Sequence, residues 1–206
     1  MSAPPRGPRG TAGPPPSDLH RRTLPKHTLR PGLELCRIHR LGRAPVFFSP
    51  AKGEPPAGRF DSPTGAFRVL YAAETLEGAF VETVLRTPSR LLIGSDEIMS
   101  RAFTSLRLNR ELRLIDLRAE GLQQLGLDTS IISGPYDPCG LWADAFFYHP
   151  DKPDGIWYPS RYDPSQACIA LFDREPNTIS PVKTHPLTDV QRLVGEILRR
   201  YGKAIG

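Results

Sequence analysis

Between Gly58 and Arg86 three residues carry chemistry: Arg59, Tyr71 and Glu82. They stand twelve and eleven residues apart. Their surroundings read as a loop, a strand and a helix, so the three can converge on one cleft. A guanidinium is permanently charged and grips phosphate bidentately. A carboxylate beside it can stabilise a cationic transition state. The pair suits cleavage of a glycosidic bond in a phosphorylated nucleoside, which passes through an oxocarbenium-like state. Each residue also has a plainer use. Glu82 sits off the apolar face of its helix and suits a solvated surface. Arg59 can pair with Asp61 or Glu82. Tyr71 can be a core aromatic with its hydroxyl at the rim.

The elements that must place these groups follow from local patterns. Ser62-Pro63-Thr64-Gly65 is turn chemistry. Phe67 to Ala73 has the length and apolarity of a buried strand. Thr75 is an N-cap, and Leu76, Ala79, Phe80, Thr83 and Val84 form one helix face. Upstream, a strand runs from Leu33 to His39 with Arg37 and Arg40 on or just after it. A Pro-rich loop follows to Gly58, docked by Val46-Phe47-Phe48. Downstream, strands are expected over 98–108 and 112–117 with a turn between them, then a short helix over 117–127 and a loop over 129–138. Asp137-Pro138 suits the start of a helix that buries Leu141, Trp142, Ala145, Phe146 and His149. Ile156-Trp157-Tyr158 and Ala167 to Phe172 are apolar runs, and 176–186 reads as extended linker. Thr188 and Gln191 form a capping box for a last helix whose apolar residues run from Val190 to Tyr201. Together these predict an α+β fold: a mixed sheet with flanking helices.

Composition bounds the rest. The chain has 206 residues, 39% hydrophobic and 24% charged, as in a globular domain. No apolar run approaches the length of a membrane span, and the N-terminus has no secretory h-region. A cytoplasmic setting without a membrane fits. The net charge is +5. Residues 1–30 hold Arg6, Arg9, Arg21, Arg22, Lys26 and Arg30 against Asp18 alone. Rich in Pro and Gly, they are expected to be a disordered basic tail, with the folded domain over 31–206. Three cysteines without a C-x-x-C pair, and five histidines without ligand spacing, predict neither a disulfide framework nor a metal site. Dinucleotide-fold, P-loop and nucleophile-elbow motifs are absent, as are helix-turn-helix and zinc-finger spacings, so no direct nucleic-acid contact is expected.

Four segments resemble the RES domain, a family named for an arginine, a glutamate and a serine. They are LCRIHR at 35–40, GRFD at 58–61, RVLYAAETLEGAFVE at 68–82 and GIWYPSRYDPSQACIALFD at 155–173, in the family's order. The resemblance implies an ADP-ribosyltransferase-like fold. It implies a toxin that consumes NAD⁺ as substrate, with phosphate or water as acceptor, or that transfers ADP-ribose to a protein. It implies an Xre-type helix-turn-helix antitoxin as partner, in a homo-oligomer or a toxin–antitoxin hetero-oligomer, and no cofactor. It makes Arg37, Glu82 and Ser160 the catalytic residues, and Arg59 and Tyr71, with Arg37 and Ser160, the NAD⁺-binding ones. Arg40 competes with Arg37 and Ser165 with Ser160. A non-enzymatic binding module built on the basic arm and the last helix is the remaining alternative.

Overall fold

The computed structural model describes residues 12–51 and 53–206. In chain order the elements are β1 (Lys26–Leu29), β2 (Glu34–Arg40), β3 (Val69–Ala73), α1 (Leu76–Thr83), β4 (Leu92–Ile93), α2 (Ser95–Met99), β5 (Arg101–Leu108) and β6 (Leu112–Asp116). Then come α3 (Ala119–Leu125), α4 (Ser130–Ser133), α5 (Asp137–Phe147), β7 (Gly155–Pro159), β8 (Ala167–Phe172), β9 (Ile179–Pro186), α6 (Gln191–Arg200) and β10 (Ala204–Ile205).

Eight strands form one sheet in the order β1-β6-β7-β8-β3-β2-β5-β9. Only β6 and β7 run parallel; the other neighbours are antiparallel. The expected mixed sheet with flanking helices is present. One face packs α1, α5 and α6 through Phe80, Trp142, Phe146, Val194 and Ile197. The other buries Leu35, Leu70, Leu106, Leu114, Ile169 and Leu171 beneath Val46 and Phe48. The docking expected of the Pro-rich loop is therefore observed.

The ladder is weakest in the middle. Strands β2 and β3 share a single register pair, Cys36 with Ala73, whereas β3 and β8 share five. The sheet splays where these strands part. A side chain reaches across the opening: Arg37 Nη1 donates to the carbonyl of Tyr71 at 3.0 Å.

Several expectations need correcting. Residues 12–30 are folded, while residues 1–11 of the expected tail lie outside the described residues. β1 pairs with β6 over four residues, Leu19 and Leu24 are buried, and Trp142 Nε1 donates to the carbonyl of Gly13 at 2.8 Å. Averaged composition hid this, because the few apolar side chains there are the ones that pack. The linker over 176–186 contains β9, a sheet-edge strand with only Ile179 buried, so it gives no apolar signal. The strand expected from Ile98 begins at Arg101, behind α2. Its neighbour in sequence, β6, lies elsewhere in the sheet. The loop over 129–138 carries α4. Asp137 is the first residue of α5 and Tyr136 its cap. Leu141 points to solvent. Thr188 lies in a 3-10 turn ahead of α6, and its hydroxyl meets Asp189, so no capping box forms.

Candidate active site

At the splay of β2 and β3 lies a cavity of about 210 Å³. Arg37, Arg59, Tyr71 and Glu82 all line it, joined by Arg86, Tyr136, Tyr158 and Arg161. Its floor is one transverse row of the sheet. Tyr158 on β7 faces Cys168 on β8. Cys168 faces Ala73 on β3, and Ala73 faces Cys36 on β2. All four line the cavity. Three are small, which makes room above the sheet.

Glu82 reaches the cavity from the last turn of α1. That helix starts where Thr75 Oγ1 accepts from Gly78 N at 2.9 Å. Ala79, Phe80 and Val81 are buried and anchor it. Glu82 Oε1 accepts from Ser160 Oγ at 2.6 Å and from Arg161 N at 3.2 Å. These two bonds fix the carboxylate.

Ser160 is 1% exposed and does not line the cavity. Its oxygen accepts from Tyr162 N and Asp163 N at 3.1 and 3.3 Å, and its proton goes to Glu82. Its place is behind the carboxylate. Ser165 is exposed and bonded to Asp163, so between the two serines the structure places Ser160 at Glu82. Likewise Arg37 lines the cavity and the exposed Arg40 does not.

Arg59 is 7% exposed. Its Nη1 donates to the carbonyls of Ile131 and Gly134 at 3.4 and 2.9 Å. Its guanidinium lies 4.5 Å from the centre of the Tyr136 ring. Arg59 Nη2 and Arg37 Nε are buried with no hydrogen-bond partner among the described residues. No carboxylate of the described residues pairs with either guanidinium, so the ion pairs considered for Arg59 do not form. Burial, then Arg43, pushes the Arg37 guanidinium down to about 10; it stays cationic at neutral pH. Buried donors without acceptors are uncommon and call for a ligand or water.

Tyr71 closes the other side. Its hydroxyl donates to Asp61 Oδ1 at 2.8 Å and accepts from Phe60 N at 2.9 Å. Asp61 Oδ2 in turn accepts from Ala57 N and Gly58 N. Burial, then the Asp61 carboxylate, holds the phenol well above its ordinary range. A side chain at residue 58 would put Cβ 2.4 Å from Tyr71 Oη. Glycine there lets the loop lie on the ring and carry Arg59 into the cavity.

The residues the sequence reading missed had signals of different strength. Arg86 follows Glu82 by four positions, the same-face spacing of a helix, although α1 ends at Thr83. Arg161 adjoins Ser160. Tyr136 sits in a Gly/Pro loop with no periodicity, so nothing local marks it.

Residues 34–192 match the RES domain. The chain belongs to the RES domain family. All five expected site residues fall inside that span, whereas β1 and β10 fall outside it. Over 114 residues this RES domain chain is 34% identical to the probable toxin y4kH of Sinorhizobium fredii (strain NBRC 101917 / NGR234), covering 55% of this chain and 89% of that protein. In fold it is similar to a chain in the crystal structure of the M. tuberculosis MbcT–MbcA toxin–antitoxin complex. The TM-score is 0.63 at 14% identity, over 82% of this chain and 92% of that one. At that identity the likeness speaks for the fold.

Proposed function

We propose that this RES domain chain is a toxin-type enzyme with an ADP-ribosyltransferase-like fold that degrades NAD⁺ by cleaving the nicotinamide–ribose bond. The observation that carries the reading is the Glu82 carboxylate, fixed by Ser160 at the edge of a cavity lined by two guanidinium groups, Arg37 and Arg59, each of which keeps one buried nitrogen without a hydrogen-bond partner among the described residues. Arg37 and Arg59 suit the pyrophosphate, by charge-assisted bonds of about 1.5–3 kcal/mol each. Glu82 stabilises the positive charge that develops at C1′ as the C1′–N bond breaks. Nicotinamide departs with the bonding pair and becomes neutral. Water or phosphate then bonds to C1′ and yields ADP-ribose or its 1″-phosphate, the nucleophile's proton passing to solvent. Little acid catalysis is needed, so positioning and electrostatics supply most of the effect.

The likeness to a toxin–antitoxin complex supports an antitoxin as the protein partner, of the Xre helix-turn-helix type on the family reading. The direct test is nicotinamide release from NAD⁺ by purified protein, with and without phosphate. Glu82→Gln is expected to lower kcat by roughly 100–1,000-fold, the size of losing one electrostatic stabiliser. Ser160→Ala is expected to lower it by about 10–100-fold, through a loosened carboxylate. Equal rates for wild type and Glu82→Gln would sink the reading. A mass increase on a co-incubated protein, in place of free ADP-ribose, would move it to ADP-ribosyl transfer.

A further inference from the structure

Tyr158 is a buried phenol that the reaction described above does not use. It is 6% exposed and lines the cavity together with Glu82 and Arg59. Its ring is held edge-on by Phe60, with centroids 5.0 Å apart. Among the described residues its hydroxyl has no hydrogen-bond partner, in contrast to Tyr71, whose hydroxyl has two. The oxygen is not among the fully enclosed polar atoms that lack a partner, so it is reached from the cavity and is free to bond a group that enters there.

The surroundings say what kind of group that is. Tyr158 ends the floor row, and the other three positions, Cys168, Ala73 and Cys36, are small and uncharged. Neighbouring strands are about 4.8 Å apart, so this shelf is long enough for a flat six-membered ring with one substituent. The cavity of about 210 Å³ is smaller than the roughly 300–1,000 Å³ that encloses a drug-sized ligand. That is room for one end of a dinucleotide, and Arg37 and Arg59 are the lining cations that suit its phosphates. Burial, followed by Cys168 and Glu82, holds the phenol well above its ordinary range. Tyr158 is a hydrogen-bond donor throughout neutral pH.

We propose that Tyr158 is a specificity-determining residue: its hydroxyl donates to the carbonyl oxygen of the nicotinamide carboxamide while the pyridine ring lies on the shelf of Cys168, Ala73 and Cys36. This rests on the NAD⁺-cleaving reading and names the subsite for the leaving group.

The test measures binding of nicotinamide, benzamide, pyridine and ADP-ribose by calorimetry to wild type and Tyr158→Phe, beside NAD⁺ turnover. Wild type should bind nicotinamide and benzamide, which carry the carboxamide, and pyridine at least tenfold more weakly. Tyr158→Phe should bind nicotinamide about tenfold more weakly, the worth of one ordinary hydrogen bond, and ADP-ribose as wild type does. Its thermal midpoint should be unchanged, because the hydroxyl bonds to no described residue. If Tyr158→Phe binds nicotinamide normally, or fails to fold, the hydroxyl has another role and the proposal falls. Equal binding of pyridine and benzamide by wild type overturns it without any variant. The two readings fail separately. NAD⁺ cleavage with an unaltered Tyr158→Phe removes the subsite alone. Tyr158-dependent nicotinamide binding with intact NAD⁺ removes the reaction alone.

Discussion

Of the three phenols that line the cavity, Tyr71 and Tyr158 differ in what their hydroxyls meet. Tyr71 spends its hydroxyl on Asp61 and Phe60 N, so it holds the loop that delivers Arg59. Tyr71→Phe would leave a buried carboxylate oxygen and an amide unpaired. The expected cost is about 1–3 kcal/mol, read as a lower denaturation midpoint in urea. NAD⁺ turnover should fall with it, chiefly through KM as Arg59 loses its anchor, whereas Tyr158→Phe should leave the midpoint alone. Gly58→Ala tests the same loop from the other side. With Cβ driven to 2.4 Å from Tyr71 Oη, the loop must lift. A loss of about 1–3 kcal/mol, as for other overpacked sites, is expected in the same urea titration. Unchanged stability in Gly58→Ala would mean the loop does not rest on the ring.

Elements with strong local chemistry were legible in the sequence. Thr75 caps α1 because its oxygen meets Gly78 N, and Ala79 and Phe80 of the expected apolar face are buried, though Gly78 and Val81 beside them are buried as well. β8 is apolar throughout and was legible by composition alone. β9 and β1 were not, since their burial is shared between few side chains and a backbone ladder that leaves no mark on residue type. Three of the site residues drew notice for their chemistry, but only a family resemblance selected Ser160 from Ser165. The splay between β2 and β3 that makes room for the site is a property of register, which short apolar runs do not encode. At this scale Leu24→Ala is the informative substitution. Leu24 is 3% exposed within a segment expected to be disordered. A buried leucine costs about 2–5 kcal/mol to truncate, and a loss that size in thermal unfolding would confirm that residues 12–30 belong to the domain.

Across the whole molecule, pH acts through groups whose protonation differs between the folded and unfolded chain. Burial pushes up the thiols of Cys36, Cys139 and Cys168 and the phenols of Tyr71, Tyr158 and Tyr201. The unfolded chain releases these protons first, from thiols near 9.0 and phenols near 10.0. The stability they contribute is whole below about pH 9 and drains away above it. On the acid side, burial against Trp157 holds His27 below its ordinary value. The unfolded chain then takes up that proton first, and stability falls as pH drops below about 6.5. Thermal midpoints from pH 5 to 10.5 should trace a plateau with both shoulders, and His27→Phe should flatten the acid one. No helix is long and apolar enough to cross a membrane among the described residues.

The first strand of the sheet lies outside the span that defines the family. A gene trimmed to the family's limits would therefore express a protein whose β6 edge is bare, with unpaired amides and carbonyls ready to recruit the same edge of a neighbouring molecule. Such a trimmed chain would also lack most of α6 with its buried Val194, Ile197 and Leu198, so precipitate or a blank assay would report missing structure and would say nothing about the activity of the full chain.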